Sequence, residues 1–183
     1  MTETGLTQAA ARQDAGLGGA ADAAQATHHH QPVPYELIEL FFFAYRDFVS
    51  DPDRLLAELD FGRAHHRVLH FVDRNPGLTI AELLDILKIT KQSLNRVLKE
   101  LVEKEFVDVQ TGHQDRRQRH LHTTGKGRTL AQKLAGVQGE RIRAALSGTA
   151  PGARAVIESY LTALIDTGER SQVLTRIHTG PPA

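Results

Sequence analysis

Between Leu78 and Glu105 the chain carries two helix starts in close succession, and no other stretch restricts its fold so tightly. Thr79-Ile80-Ala81-Glu82 is a capping box: the Thr79 hydroxyl oxygen can accept the Glu82 backbone N–H, and the Glu82 carboxylate can reach back to Thr79. Leu78 and Leu83 bracket it as a hydrophobic staple, and Ile80, Leu83, Leu84 and Leu87 form a helical stripe. The stripe breaks at Lys88-Ile89 and restarts at Thr90, a second N-cap, with Ile89 and Leu94 as a second staple. Leu94, Val97, Leu98, Leu101 and Val102 then recur at i, i+3, i+4, i+7 and i+8. Two short, separately capped helices joined by a tight turn predict a helix-turn-helix.

After Glu105 the period shortens from 3.6 to roughly 2. Phe106-Val107-Asp108-Val109 reads as a strand, residues 110–117 are polar with a glycine, and Gln118 to His122 reads as the returning strand with Leu121 inward. Thr124 can cap the next helix, although Gly125 and Gly127 weaken its first turn. That helix uses Leu130, Leu134, Val137, Ile142 and Leu146; Pro151-Gly152 separates it from a last amphipathic helix with Val156, Ile157, Tyr160, Leu161 and Leu164. Upstream, a helix from about Phe61 to Arg74 has Asp60 as its candidate N-cap and stops at Asn75-Pro76-Gly77. Before it, residues 37–49 are too densely apolar for a one-sided surface helix, so one face is expected on its own domain and the other on a second subunit. Asp51-Pro52 is expected to end that helix.

The fold class expected is mainly α with a small β-hairpin wing: a winged helix-turn-helix core between N- and C-terminal dimerisation helices. Residues 1–31, rich in Ala and Gly and without aromatics, read as a disordered tail. Residues 32–58 read as the N-terminal dimerisation helix, 59–124 as the winged helix-turn-helix region, 125–170 as the C-terminal dimerisation helices and 171–183 as a flexible tail.

The chain has no cysteine, which excludes thiol nucleophiles, disulfides, Cys-ligated zinc and cysteine redox sensing. The apolar run 37–49 is too short and too interrupted, by Glu39, Arg46 and Asp47, to cross a bilayer. No nucleophile triad, acid pair or phosphate loop stands out, so no enzyme is expected. The expected location is the cytoplasm.

Net charge is zero, but the 22 positive and 22 negative side chains are unevenly spread. Thr90, Lys91, Gln92, Ser93, Asn95 and Arg96 open the second short helix, whereas Glu100, Glu103 and Glu105 come later. The positive half is thus the end that enters the major groove in helix-turn-helix proteins, where Gln and Asn can read adenine and Arg and Lys guanine. From Gln110 to Arg128, Arg116, Arg117, Arg119, Lys126 and Arg128 face a single acid, Asp115, before His113 is counted. An Arg-rich, glycine-containing loop suits a narrow groove of high negative potential. Asp115 reads as a structural residue of that loop. A solvated basic face is the bland alternative for the helix alone; the loop tips the reading to double-stranded DNA.

The two helices, followed by Asp115-Arg116-Arg117-Gln118-Arg119 and then Thr124 and Gly127, resemble the winged helix of MarR-family transcription regulators. Asp115, Arg117, Thr124 and Gly127 match the wing pattern Asp-x-Arg and Leu-Thr-x-x-Gly, with Thr123 in place of the Leu. The stretches 63–70 and 89–94 look most like the PetP-type branch. The resemblance implies a homodimer with intertwined terminal helices on a pseudo-palindromic operator. It also implies a cleft near helix 61–74 where small-molecule effectors bind, so His65, His66 and His70 are carried as effector or metal candidates. His66 and His70 stand at i and i+4, a spacing that can chelate a metal; the alternative is histidines bonded to backbone or carboxylates at a domain junction. No cofactor is expected. The rival reading is a protein-interaction module that kept the winged fold and lost DNA binding.

Overall fold

A computed structural model describes residues 32–112 and 118–179 of the chain. The chain divides after Ile38. Residues 32–38 lead into helix α1 (Tyr35–Ala57), where the Ile38 N–H donates to Pro34 O at 3.1 Å. Within residues 39–183 the described elements continue α1 and add α2 (Arg63–Arg74), β1 (Leu78–Thr79), α3 (Ile80–Leu87), α4 (Lys91–Glu103), β2 (Val107–Thr111), β3 (Arg119–Thr123), α5 (Gly125–Ser147), α6 (Ala153–Leu164) and α7 (Arg170–Thr179).

The capping signals work as their chemistry requires. Thr79 Oγ1 accepts the Glu82 N–H at 3.2 Å, and Glu82 Oε2 accepts the Thr79 N–H at 2.8 Å and hydroxyl at 2.7 Å. These bonds to the Thr79 side chain and backbone hold the Glu82 carboxyl below the ordinary glutamate range. Thr90 Oγ1 likewise accepts the Ser93 N–H at 3.2 Å. Between the two helices Lys88 takes a left-handed conformation, φ 50°, and its N–H closes on Leu84 O. This single residue makes the tight turn.

Leu56, Val68, Leu69, Val72, Leu83, Leu94, Val97, Leu101, Phe106, Leu121 and Leu134 meet in one core. Helix α2 runs through it, packing against α3, α4, α5 and β3. The sheet order is β1-β3-β2, all antiparallel, with Leu121 of the central strand opposite both Leu78 and Val109. Burying Leu121 completely fixes the register, since a one-residue slip would turn it to solvent.

Four expectations need correction. Helix α1 does not stop at Asp51-Pro52 but continues to Ala57 with Pro52 inside it. Val49, Pro52 and Leu56 are buried together, and that packing outweighs the missing N–H and the ring clash. Helix α2 begins at Arg63 with Gly62 as N-cap, while Asp60 sits at φ 55° in the preceding turn. The hairpin gains a third strand, β1, too short to show any period. Residues 171–179, part of the stretch 171–183 expected as a flexible tail, lie in helix α7 (Arg170–Thr179).

Gly127 looked like a weak point in the first turn of α5, yet it is a required close approach. A Cβ there would lie 1.9 Å from the Phe106 carbonyl oxygen. That same oxygen accepts the Thr124 N–H at 3.2 Å, and Thr124 Oγ1 caps α5 by accepting the Gly127 N–H at 3.0 Å. The joint locks the start of α5 onto the strand that comes after α4.

Candidate nucleic-acid interface

Helix α4 turns Leu94, Val97, Leu98 and Leu101 into the core, which leaves Lys91, Gln92, Ser93, Asn95 and Arg96 exposed together with the cap Thr90. Ser93 Oγ accepts the Thr90 hydroxyl at 2.9 Å. Lys91, Gln92, Asn95 and Arg96 make no side-chain hydrogen bond or ion pair with another described residue. Three positions past this group, Lys99 pairs with Glu103 at 3.7 Å. The uncommitted polar side chains are therefore confined to the first half of the helix.

In the hairpin, Arg119 is exposed on β3 and donates to Thr111 Oγ1 at 2.8 Å, across the register pair of the same two residues. His113, Asp115, Arg116 and Arg117 lie outside the described residues.

The three histidines of α2 separate. His65 Nδ1 accepts the Gly62 N–H at 3.1 Å, so its proton is on Nε2, which donates to Glu100 Oε2 of α4 at 2.8 Å. Its ring stacks on Phe61 with centroids 4.5 Å apart. Both nitrogens are engaged, and His65 takes no part in a cluster with His66 and His70. Those two rings stand edge to face with centroids 6.5 Å apart. Among the described residues no group of three His, Cys, Asp or Glu side chains comes together to hold a metal ion.

Burial pushes the pKa of His66 below the ordinary histidine value, the neighbouring His70 adds to this, and Asp53 opposes it. His70 is lowered for the same first reason, with Arg74 adding and Asp73 opposing. The folded chain therefore resists protonation that the unfolded chain accepts as pH falls through about 6.5. Stability rises with pH across that window and falls on acidification. The denaturation midpoint of the wild type should drop more between pH 7.5 and 5.5 than that of a His66→Gln/His70→Gln variant.

His70 also lines a cavity of about 360 Å³ between α2, α3 and α7, with Phe71, Ile86, Val173 and Ile177 as its apolar surface. On its rim Lys88 bridges Asp85 and Glu169, each at 2.9 Å. The resemblance implied a cleft beside this helix but not α7 as one wall of the cavity, because α7 was not expected as a helix.

A family model described as the MarR family matches residues 59–118, the stretch that carries α2, the helix-turn-helix and the first strand of the hairpin. The HTH-type transcriptional regulator PetP of Rhodobacter capsulatus is 48% identical over 133 residues, 73% of this chain and 80% of that protein. The chain belongs to the MarR family. Like other MarR-family proteins it is a transcriptional regulator and not an enzyme. Solved MarR-type folds agree with the architecture. A SlyA-like transcription regulator from Listeria monocytogenes superposes with a TM-score of 0.62 at 17% identity, covering 84% of this chain and 99% of that one. FabT of Streptococcus pneumoniae, solved in complex with DNA, gives 0.60 at 21% identity, covering 78% of this chain and 99% of its own. No helix among the described residues is long and apolar enough to cross a membrane.

Proposed function

We propose that the chain regulates transcription as a homodimer bound to a pseudo-palindromic site in double-stranded DNA, in the cytoplasm at the nucleoid. The observation that carries this reading is the exposed start of α4, where Lys91, Gln92, Asn95 and Arg96 are held on a helix whose other face is buried and have no side-chain partner among the described residues. Such groups can meet base edges and phosphates without first breaking internal bonds. Thr90 and Ser93 sit at the helix start, where backbone N–H groups favour phosphate. Arg119, with Arg116, Arg117 and His113 of the loop, supplies the wing contacts, and Asp115 shapes the loop. The full apolar faces of α1 and α6 support the dimer.

Removing a groove contact tests this directly. Arg96→Ala should weaken binding to a duplex from the chain's own promoter region by about tenfold or more and flatten the salt dependence by about one unit per half-site. Unchanged affinity and slope in an anisotropy titration would exclude the contact.

The cavity between α2, α3 and α7 supports control by a small-molecule effector, with His70 on its wall. His65, which is spent on Gly62 and Glu100, is not part of that reading.

A further inference from the structure

In α4 a basic residue precedes an acid by four positions twice: Lys99 with Glu103, and Arg96 with Glu100. Side chains four apart on a helix are neighbours and opposite charges there attract. Lys99 and Glu103 do pair, at 3.7 Å. Arg96 and Glu100 do not, because Glu100 is turned the other way and accepts from His65 Nε2 at 2.8 Å.

His65 is well placed to hold it. Its side chain is only 12% exposed, and the Gly62 N–H fixes which nitrogen carries the proton. The ring lies flat against Phe61, 13° from parallel, and Phe61 in turn meets Phe106 edge-on at 5.2 Å. Lys104, at the end of α4, lies over Phe61 and donates to Leu59 O at 2.6 Å. The imidazole therefore cannot follow a wandering carboxylate; the carboxylate must come to it.

We propose that His65 is a positioning residue that keeps Glu100 off Arg96, so that Arg96 stays available to DNA while Lys99 is neutralised by Glu103. This rests on the reading of α4 as the DNA-contacting helix. It makes His65 a determinant of the charge on that face without touching DNA itself. Released from His65, Glu100 would swing onto Arg96, removing one positive charge per chain from the contact surface.

A double-mutant cycle decides it, with His65→Phe and Glu100→Gln titrated singly and together against the promoter duplex and a scrambled duplex at several salt concentrations. Phe keeps the stacked ring and loses the bond to Glu100. His65→Phe is expected to bind about tenfold more weakly, with a salt slope shallower by about one per half-site. Glu100→Gln should then recover most of that loss in the His65→Phe chain, while changing the wild type by no more than about twofold. Equal effects of Glu100→Gln in both backgrounds would overturn the proposal and leave His65 a purely structural residue, as would a His65→Phe chain that binds like the wild type. His65→Ala replaces His65→Phe if the larger ring prevents folding, with the same outcomes. A wild type that binds neither duplex would instead remove the DNA reading itself, a result separable from both.

Discussion

Sedimentation of the wild-type chain at micromolar concentration is expected to show a dimer, and of a Leu161→Glu variant a monomer. Helix α6 buries none of its residues within the chain. Val156, Ile157, Tyr160, Leu161 and Leu164 are all at least 40% exposed, and Leu40, Phe41, Phe42, Phe43 and Tyr45 of α1 are exposed to a similar degree. So many large apolar side chains on two helices far exceed the scattered exposure of an ordinary monomer surface. A two-fold interface repeats every substitution, so one Glu per chain places two unpaired carboxylates in the contact. At roughly 3 kcal/mol or more for each uncompensated buried charge, the dimer constant should weaken at least about a hundredfold. The same variant should lose the promoter duplex, because one half-site alone supplies too few contacts. A Leu161→Glu chain that remains dimeric would mean that α6 is not in the interface.

Gly127→Ala is the second large effect, and it acts on folding instead of assembly. The added methyl would stand 1.9 Å from Phe106 O, 2.9 Å from its carbonyl carbon and 3.3 Å from its Cα. All three are backbone atoms just past the end of α4, so no side chain can swing aside. Either α5 or the strand after α4 must shift, at a cost of about 3 kcal/mol. In a chain of this size that lowers the melting temperature by roughly 6–12 °C. Gly136 offers the control in the same helix. Nothing lies within 4 Å of a Cβ built there, and it is exposed. Gly136→Ala should therefore stabilise by about 0.5–1 kcal/mol through helix propensity alone. Calorimetry on the two variants separates the joint at Phe106 from a general dislike of alanine in α5.

The same glycine shows where the sequence can mislead. By propensity, Gly127 weakens a helix; in three dimensions, it permits a contact 21 residues back along the chain with Phe106. The helix-turn-helix was legible because its signals are local: Thr79 and Glu82, then Thr90 and Ser93, settle their helix starts within four residues. Pro52 was misread for the opposite reason, since the packing of Val49 and Leu56 that retains it in α1 is tertiary. Helix α7 carried a faint signal in Val173, Leu174 and Ile177 and in Asp166, whose carbonyl accepts the Arg170 N–H at 2.9 Å. That stripe is too short to stand out beside the Gly-Pro-Pro at the end of the chain. On the interface, the basic residues of α4 could be named from the sequence. The partner of Glu100 could not, because His65 lies 35 residues away and nothing in the spacing links them. His65 was grouped with His66 and His70 because all three lie on the helix that the resemblance places beside a cleft, and the helix turn sends it to another neighbour.

The proposed function has the start of α4 and the basic hairpin read double-stranded DNA. It is tested most directly by fluorescence anisotropy of a duplex from the chain's own promoter region against a scrambled duplex of equal length, titrated over a range of salt. Binding should favour the promoter duplex by about a thousandfold or more, and the affinity should fall steeply and linearly on logarithmic axes as salt rises. Equal, weak binding to both duplexes, or none at micromolar protein, would contradict it and leave the winged fold as a protein-interaction module.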